Sequence, residues 1–153
     1  MTLQSSTQHY SEYIRDMKAE VIRALETYLS PAYIPDPSFE EATRYAVLGG
    51  GHRWRPVLLI AVAEMFGSSN DKVMLSACAL ELIHSASIIL DDSPCMDNAS
   101  MRRGKLTFHK VFGEAMTTLT TNYLVSVADR LLVKNSEVLH INPGTLFEYV
   151  EKA

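Results

Sequence analysis

The sequence is poor in the residues that define several protein classes. Only two of its 153 residues are cysteine, Cys78 in an apolar run and Cys95 in a polar one, so it has neither zinc-ligand spacing nor the density of a secreted disulfide scaffold. The formal net charge is -4, and the basic residues form short clusters instead of a stripe that could hold a nucleic-acid backbone. We therefore expect a chain of the reducing cytoplasm with no nucleic-acid partner.

Membrane-targeting patterns are also missing. The first ten residues, MTLQSSTQHY, lack the basic start and apolar stretch of a signal peptide. The longest apolar runs are shorter than the roughly 20 residues that span a bilayer, so we expect no transmembrane segment. Hydrophobic residues make up 47% of the chain, which is enough for a core. With no linker or repeat, residues 1–153 are predicted to form one domain.

Alternating strand patterns are absent, whereas apolar residues recur at steps of three and four along most of the chain. This spacing predicts helices at residues 10–30, 38–48, 56–66, 70–90, 113–132 and 145–152. The expected fold class is an all-α helical bundle.

Local signals set the expected starts of three helices. Ser38 followed by Glu41 is typical of a capping box at the start of the second helix. Pro56 suits the first turn of the third, and either Asn70 or Asp71 can cap the fourth.

The segment ILDDSPCMDNASMRRGK, residues 89–105, concentrates charge of both signs. It contains three carboxylates and three permanent cations, which belong to Asp91, Asp92, Asp97, Arg102, Arg103 and Lys105. Asp91 and Asp92 would lie at the negative end of a helix dipole, where a bound cation would offset the cost. Pro94 breaks the helix and can fold Asp97 back toward Asp91, and such an oxygen-rich site suits magnesium. The alternative is a solvated turn, because Asp, Asn, Ser, Pro and Gly are ordinary turn residues.

The helix predicted before this segment is apolar on most faces, as expected of a helix buried nearly all round, but it carries Glu81, His84, Ser85 and Ser87. His84 and Asp91 are seven residues apart, so they share a face and lie about 10 Å apart along the axis. A polar line would then run down a buried helix to the carboxylates. A lone histidine is more often structural than a ligand, so both interpretations stay open.

A second cluster, GGGHRWRP at residues 49–56, places His52, Arg53 and Arg55 between three glycines and a predicted helix start. Glycine lets the backbone approach a ligand closely, and a helix start points amide hydrogens outward, which together suit a diphosphate. The alternative is that the glycines only stop a helix and the arginines are surface charge.

Four segments, GGGHRWRP, ELIHSASIILDDSPCMDN, MRRGK and FHKVFGEAM, resemble in this order the corresponding segments of the trans-isoprenyl diphosphate synthases, the family of geranylgeranyl and farnesyl diphosphate synthases. The resemblance extends over residues 10–132. It implies an all-α bundle around a deep cavity, of which residues 1–153 would form the N-terminal half. It also implies a magnesium-dependent prenyltransferase of isoprenoid and terpene biosynthesis.

The resemblance assigns roles to the acidic and basic motifs. Asp91 and Asp97 would hold Mg²⁺ and, together with Asp92, the diphosphate of the allylic substrate. Arg102 would bind the allylic diphosphate and Arg103 the diphosphate of isopentenyl diphosphate. The residues implied to be catalytic are Asp91, Asp92, Asp97 and Arg102.

The resemblance also assigns the isopentenyl diphosphate site and the length of the product. His52, Arg53 and His84 would bind isopentenyl diphosphate. Ala86 and Ser87, about one turn before the first aspartate, would limit product length. Because both are small, a C20 product, geranylgeranyl diphosphate, is favoured over a C15 product.

The implied reaction begins with ionisation of the allylic diphosphate. The double bond of isopentenyl diphosphate then attacks the carbocation, and a proton is lost. Magnesium and the arginines would stabilise the departing diphosphate, and apolar walls would exclude water.

Three departures from the family pattern leave the function open. His52 stands where the family usually has lysine, residues 120–125 read TTNYLV where relatives usually read AGDALL, and the second aspartate-rich motif has no counterpart. The chain is therefore predicted to be a subunit of a split or heteromeric prenyltransferase, active only with a second all-α chain that carries the C-terminal half. The alternatives are a non-catalytic regulatory subunit that binds a full-length synthase and modulates its product, and a fragment of a full-length enzyme.

Overall fold

Helices dominate the computed structural model, which describes residues 3–30, 34, 36–142, 144, 145 and 148. Within these residues the elements are α1 (Leu3–Tyr28), α2 (Pro37–Leu48), α3 (Trp54–Met65), α4 (Asn70–Asp91), β1 (Met101–Arg102), β2 (Lys105–Leu106) and α5 (Phe108–Val138). The predicted all-α bundle is confirmed. A two-residue antiparallel ribbon of β1 and β2, which the sequence analysis did not predict, joins α4 to α5.

The start of α2 differs from the predicted capping box. Asp36 is the N-cap, and its carboxylate accepts a hydrogen bond from the Phe39 amide at 2.8 Å. Pro37 occupies the first helical position, where its missing N–H would have had no partner anyway. The prediction of a cap at Ser38 was therefore wrong, because the Asp-Pro pair just before it is the stronger start signal.

Two further helix boundaries need correction. Ser69, not Asn70 or Asp71, is the N-cap of α4. The helix predicted at 113–132 covers Phe108–Val138, with a break at Gly113 where φ is +81°. Glycine tolerates this conformation, so one turn can form before the break and the long helix after it. The helix predicted at 145–152 lies almost wholly outside the described residues.

The core is built around α4, which packs chiefly against α5 and α3. Its buried positions include Ala77, Cys78, Leu82 and Ala86. Burial raises the pKa of the Cys78 thiol to about 12. The packing of α4 against α3 and α5 holds the loops at its two ends in place.

The prediction that α4 is buried nearly all round was wrong for its C-terminal half. Ile83, Ser87 and Leu90 follow each other at steps of four and three and are exposed, with Ile83 at 37% and Leu90 at 42%. Helix α3 and its C-cap also expose a row of large apolar side chains, namely Trp54, Leu58, Val62, Met65 and Phe66. We call these two rows the α4 stripe and the α3 stripe.

Among the described helices, α4 alone is long and apolar enough to cross a membrane, with a mean hydropathy of 1.9 and 56% of the relevant window buried inside the bundle. The sequence analysis found no apolar run long enough to span a bilayer, but α4 is long and apolar enough as a whole helix. A core helix passes the same test, so this is weak evidence for a membrane span. The absence of a transmembrane segment stays a prediction.

The packing of α4 predicts a large difference between two leucines. Leu82 is fully buried and Leu58 is 64% exposed. Leu82→Ala should lower the free energy of unfolding by about 2–5 kcal/mol, because it leaves a cavity in the core. The matched control Leu58→Ala should change it by less than about 0.5 kcal/mol. Chemical denaturation followed by circular dichroism measures both, and equal effects would contradict the central position of α4.

Candidate functional site

A cavity of about 410 Å³ lies between the end of α2, the loop that leads to α3, the C-terminal half of α4 and the β1–β2 ribbon. It is lined by five permanent cations, two histidines and two carboxylates: Arg53, Arg55, Arg102, Arg103, Lys105, His52, His84, Glu81 and Asp92. Five positive charges against two negative ones leave an excess of three, before either histidine is counted. The cavity therefore attracts anions.

The loop between α2 and α3 depends on its glycines. Gly50 and Gly51 have φ values of +130° and +124°, which residues with a side chain rarely adopt. A Cβ atom on Gly51 would lie 3.1 Å from Nη1 of Arg103. The glycine run therefore does allow a close approach, here by an arginine of the ribbon that lines the same cavity.

Two hydrogen bonds hold the ribbon over this loop. Lys105 Nζ donates to the Gly49 carbonyl oxygen at 2.7 Å, at the C-terminal end of α2 where a cation suits the helix dipole. The Tyr45 hydroxyl donates to the Leu106 carbonyl oxygen, also at 2.7 Å. Together they hold the ribbon that carries Arg102 and Arg103 against the cavity.

Arg53 is engaged by the protein itself. Its guanidinium donates to the Glu81 carboxylate and to the Val47 carbonyl oxygen, and the Arg53 and Glu81 side chains are only 4% and 5% exposed. Arg53 was predicted to bind isopentenyl diphosphate. It does line the cavity, but two of its nitrogens already have acceptors.

Arg55, in the same segment, was not among the predicted substrate-binding residues. It is exposed, it lines the cavity, and its Nη1 lies 3.1 Å from Nε2 of His84. The available signal was helix register. Because α3 begins at residue 54, Arg55 lies in its first turn and Arg53 lies before it.

His84 is held in its neutral form. A guanidinium can only donate, so Nε2 accepts from Arg55 and the ring proton belongs on Nδ1. Burial and then the charge of Arg55 lower the pKa of His84, and the nearby Glu81 opposes them. Nε2 can gain a proton only when an anion takes over the N–H of Arg55, because the protonated ring no longer accepts from it.

The polar line on α4 ends at Asp92 instead of Asp91. The cavity is lined by Glu81, His84, Ile88 and Asp92, whereas Asp91 is exposed and does not line it. Of the two residues predicted to share a face of the helix, His84 lines this cavity and Asp91 does not. Ser85 and Ile89 also line the cavity, and the six positions together form one face of the helix.

Asp92 is a partner of Arg102. Nε of Arg102 donates to Oδ2 of Asp92 at 2.7 Å and Nη2 donates to Oδ1 at 2.7 Å, a two-point pairing that fixes the guanidinium plane. Asp92 is 3% exposed and Arg102 is 40% exposed. Asp92 thus orients an arginine that still reaches solvent. Its predicted catalytic role is untested.

The loop after α4 folds back as predicted. The Asp97 amide donates to the Asp91 carbonyl oxygen at 2.9 Å, so Pro94 does not carry the chain away. Both carboxylates are exposed, and their charges contribute to the raised pKa of Arg102, which Asp92 raises most. No three His, Cys, Asp or Glu side chains converge among the described residues. Magnesium takes one or two carboxylates and several waters, so Asp91 and Asp97 fit it chemically, and the Mg²⁺ site stays a prediction.

The two residues predicted to limit product length lie outside this cavity. Ala86 is buried in the core. Ser87 is exposed on the α4 stripe, and its hydroxyl donates to the His84 carbonyl oxygen at 3.0 Å. Among the described residues neither lines the 410 Å³ cavity. Their role stays a prediction that concerns the exposed face of α4.

The fold and this site define a class of protein. A helical bundle holds a cavity that has three excess positive charges and is large enough for a small polyanion. Glycine, arginine and a neutral histidine line it, which are groups that bind phosphate oxygens. These features suit a small polyanion such as a diphosphate.

The comparisons with known proteins identify the family. The polyprenyl synthetase model matches residues 36–151, and the chain belongs to the polyprenyl synthetase family. It is 45% identical over 118 residues to geranylgeranyl pyrophosphate synthase 3, chloroplastic, of Arabidopsis thaliana, covering 74% of this chain and 33% of that protein.

Solved structures agree with this assignment. A geranyltransferase from Legionella pneumophila superposes with a TM-score of 0.82 at 34% identity, covering 88% of this chain and 47% of that one. An FPP/GFPP synthase from Zymomonas mobilis gives a TM-score of 0.79 at 33% identity, with coverages of 92% and 50%. The chain spans about a third of the curated relative and about half of each solved structure. The predicted family and half-fold are confirmed.

The geometry of His84 predicts a pH dependence of anion binding. Its pKa is lowered in the free protein, and a bound anion would raise it, so binding takes up a proton. Affinity for sulfate, which does not titrate in this range, should rise about three- to tenfold from about pH 8 to about pH 6. Fluorescence of Trp54, the single tryptophan, reports binding because it lines the cavity.

Two variants separate the histidines of the cavity. His84→Asn should flatten the part of the profile that His84 contributes, while the matched control His52→Asn should leave that part in place. If His84→Asn retains the wild-type slope, His84 does not face the anion.

Proposed function

We propose that this chain forms the isopentenyl diphosphate side of a trans-prenyltransferase, which condenses isopentenyl diphosphate with an allylic diphosphate. The observation that carries the proposal is the cavity with Arg55, His84 and Arg103 in its wall and three excess positive charges. Membership of the polyprenyl synthetase family supports it.

The diphosphate of isopentenyl diphosphate would lie against Arg55, His84 and Arg103. His52 lines the same cavity and is exposed, so it can add a hydrogen bond. Lys105 is partly occupied by its bond to Gly49 and contributes mainly long-range attraction. In this arrangement the anion replaces solvent beside donors that the fold already holds in place, which reduces the cost of reorganisation.

The allylic diphosphate would lie on the other side of Arg102. Asp92 fixes the guanidinium of Arg102, which leaves its outer edge free to donate to a phosphate oxygen as negative charge develops on the leaving group. Asp91 and Asp97 would hold magnesium, which would supply further charge neutralisation at that leaving group. The allylic carbon–oxygen bond breaks, and the diphosphate leaves with the bonding electrons. The double bond of isopentenyl diphosphate then attacks the carbocation, and the condensed cation loses a proton to the released diphosphate to give the product.

The proposed reaction also needs the part of the fold that the relatives have and that these residues do not cover. The α3 stripe exposes five large apolar side chains and the α4 stripe adds Ile83 and Leu90, and clustered exposed apolar side chains mark an interface. We propose that they are covered by an all-α segment or second chain that carries a second aspartate-rich motif. The small residues Ala86 and Ser87 next to the α4 stripe then favour a C20 product. A cytoplasmic location remains part of the proposal.

The alternative function is a non-catalytic subunit that binds a full-length synthase and modulates its product. One observation favours it. Residues 120–125, TTNYLV, leave buried oxygens without a hydrogen-bond partner at Thr120, Thr121 and Tyr123. A buried hydroxyl without a hydrogen-bond partner destabilises the fold, and a partner helix or a water molecule could supply the missing hydrogen bond. The retained Asp91, Asp97 and Arg102 favour the catalytic reading, because a modulating subunit has no physical need for them.

The proposed magnesium site predicts a specific loss in two variants. Asp91→Asn and Asp97→Asn should each weaken the magnesium-dependent part of inorganic diphosphate binding by about tenfold or more. Binding without magnesium should be unchanged, because neither side chain lines the cavity. Titrations with and without magnesium, followed by Trp54 fluorescence, measure both parts. Asp129→Asn, an exposed aspartate of α5, is the matched control. If both variants keep the full magnesium-dependent part of diphosphate binding, the loop is a solvated turn and not a magnesium site.

The proposed partner segment predicts conditional activity. The chain alone should show no turnover with magnesium, isopentenyl diphosphate and an allylic diphosphate, because it offers only one acidic motif for the leaving group. Activity should appear on addition of an all-α partner with a second aspartate-rich motif. Leu58→Glu on the α3 stripe should reduce it strongly without loss of helicity, because it places a charge in an apolar interface. Turnover by the homogeneous 153-residue chain alone would contradict the proposal. A change in the product of a full-length synthase, without turnover of its own, would establish the alternative.

A further inference from the structure

Arg53 and Glu81 form a buried ion pair beside the cavity. Their side chains are 4% and 5% exposed, so both charges have been removed from water. Desolvation of two ions is expensive, and such a pair is often no more stabilising than apolar residues of the same size. A contribution to stability therefore does not explain why these two residues are placed here.

The Arg53 guanidinium joins three helices. Arg53 is the N-cap of α3, in the left-handed conformation with φ +57°, and it bonds Glu81 in the middle of α4. Its second nitrogen donates to the carbonyl oxygen of Val47, in the last turn of α2. One side chain thus sets the end of α2 and the start of α3 against α4.

A second contact runs beside the first between the same two segments. Arg55 follows Arg53 by two residues and His84 follows Glu81 by three, and Arg55 lies 3.1 Å from His84. The first pair is buried, whereas the Arg55 side of the second is open to the cavity. Arg55 is close in sequence to Arg53, and His84 is close to Glu81. The buried pair therefore fixes how the start of α3 lies against α4, and with it the contact between Arg55 and His84.

We propose that Arg53 and Glu81 are positioning residues of the diphosphate site: their pairing holds the loop at residues 49–53 against α4, so that Arg55 and His84 meet at the cavity wall. Arg53 itself does not bind the diphosphate. Its side chain is only 4% exposed and its third nitrogen, Nε, is buried without a partner, so the guanidinium is closed to a ligand. The inference rests on the proposed function for the identity of the anion, but the loop position can be measured without any ligand.

Glu81→Gln separates this inference from a direct role of Arg53. If Arg53 were a ligand, loss of the adjacent negative charge would free its guanidinium and strengthen anion binding. If the pair positions the loop, the same substitution loosens Arg53 and weakens binding, although Glu81 never touches the anion. The two possibilities therefore predict opposite signs.

The first measurement uses the full chain and inorganic diphosphate without magnesium, followed by Trp54 fluorescence. Glu81→Gln is expected to weaken binding about tenfold or more, with Glu114→Gln, an exposed carboxylate of α5, as the matched control that leaves it unchanged. Unchanged or tighter binding by Glu81→Gln would overturn the inference. Absence of binding by the wild-type chain would instead contradict the proposed function, and the next measurement then decides the inference.

The second measurement follows His84 by nuclear magnetic resonance in the free protein. In the double variant Arg53→Met/Glu81→Leu no single buried charge is left behind, so the chain is expected to fold even if Glu81→Gln does not. The charge of Glu81 raises the His84 pKa more than that of Arg53 lowers it, so with the loop in place, removing both lowers this pKa. If the loop moves away, the His84 pKa rises toward its ordinary value, because burial and Arg55 no longer lower it. A pKa that stays as low as in the wild-type chain would overturn the inference.

Discussion

Helix α4 has to serve as the centre of the core and as one wall of a polar cavity, and the rest of the structure depends on this double constraint. Its apolar face is covered by α3 and α5. Its polar face carries Glu81 and Asp92 at low exposure, where an unpaired carboxylate would be very costly. Each therefore requires a cation, and these cations come from the two loops that must approach α4. Charge pairing thus places the loops that build the site.

This pairing also decides which charges remain for a ligand. Arg53 is neutralised by Glu81 and Arg102 by Asp92, so the net attraction of the cavity comes from the other cations. Of these, Arg55 lies on the GGGHRWRP segment and Arg103 on the ribbon, and both line the cavity. An anion beside them would meet donors from two elements of the fold. The buried ion pairs therefore set the shape of the cavity, and the cations outside these pairs supply its attraction for an anion.

The sequence allowed the helices, the family and most of the cavity wall to be predicted, because periodicity and motif order are local properties. It did not distinguish Arg53 from Arg55. Both are arginines in one segment, and only the register of α3 against α4 decides which one is buried. For the same reason Asp91 and Asp92 could not be separated, since one residue of helix rotation moves a carboxylate from solvent into the cavity. The Asp36 cap was a local signal, but a competing capping pattern two residues later obscured it.

The two sides of the site differ in completeness, and this difference follows from burial. On the proposed isopentenyl diphosphate side, Arg55 and His84 are already held in contact by elements of this chain. On the proposed allylic side, the backbone hydrogen bond from Asp97 to Asp91 organises the two exposed carboxylates, next to an apolar stripe that has no cover among the described residues. A wall that covered the stripe would also lower the dielectric around these carboxylates, which strengthens their attraction for a cation. Closure of the apolar surface and assembly of the acidic site are therefore expected to be one event, which would exclude water from the proposed ionisation of an allylic substrate.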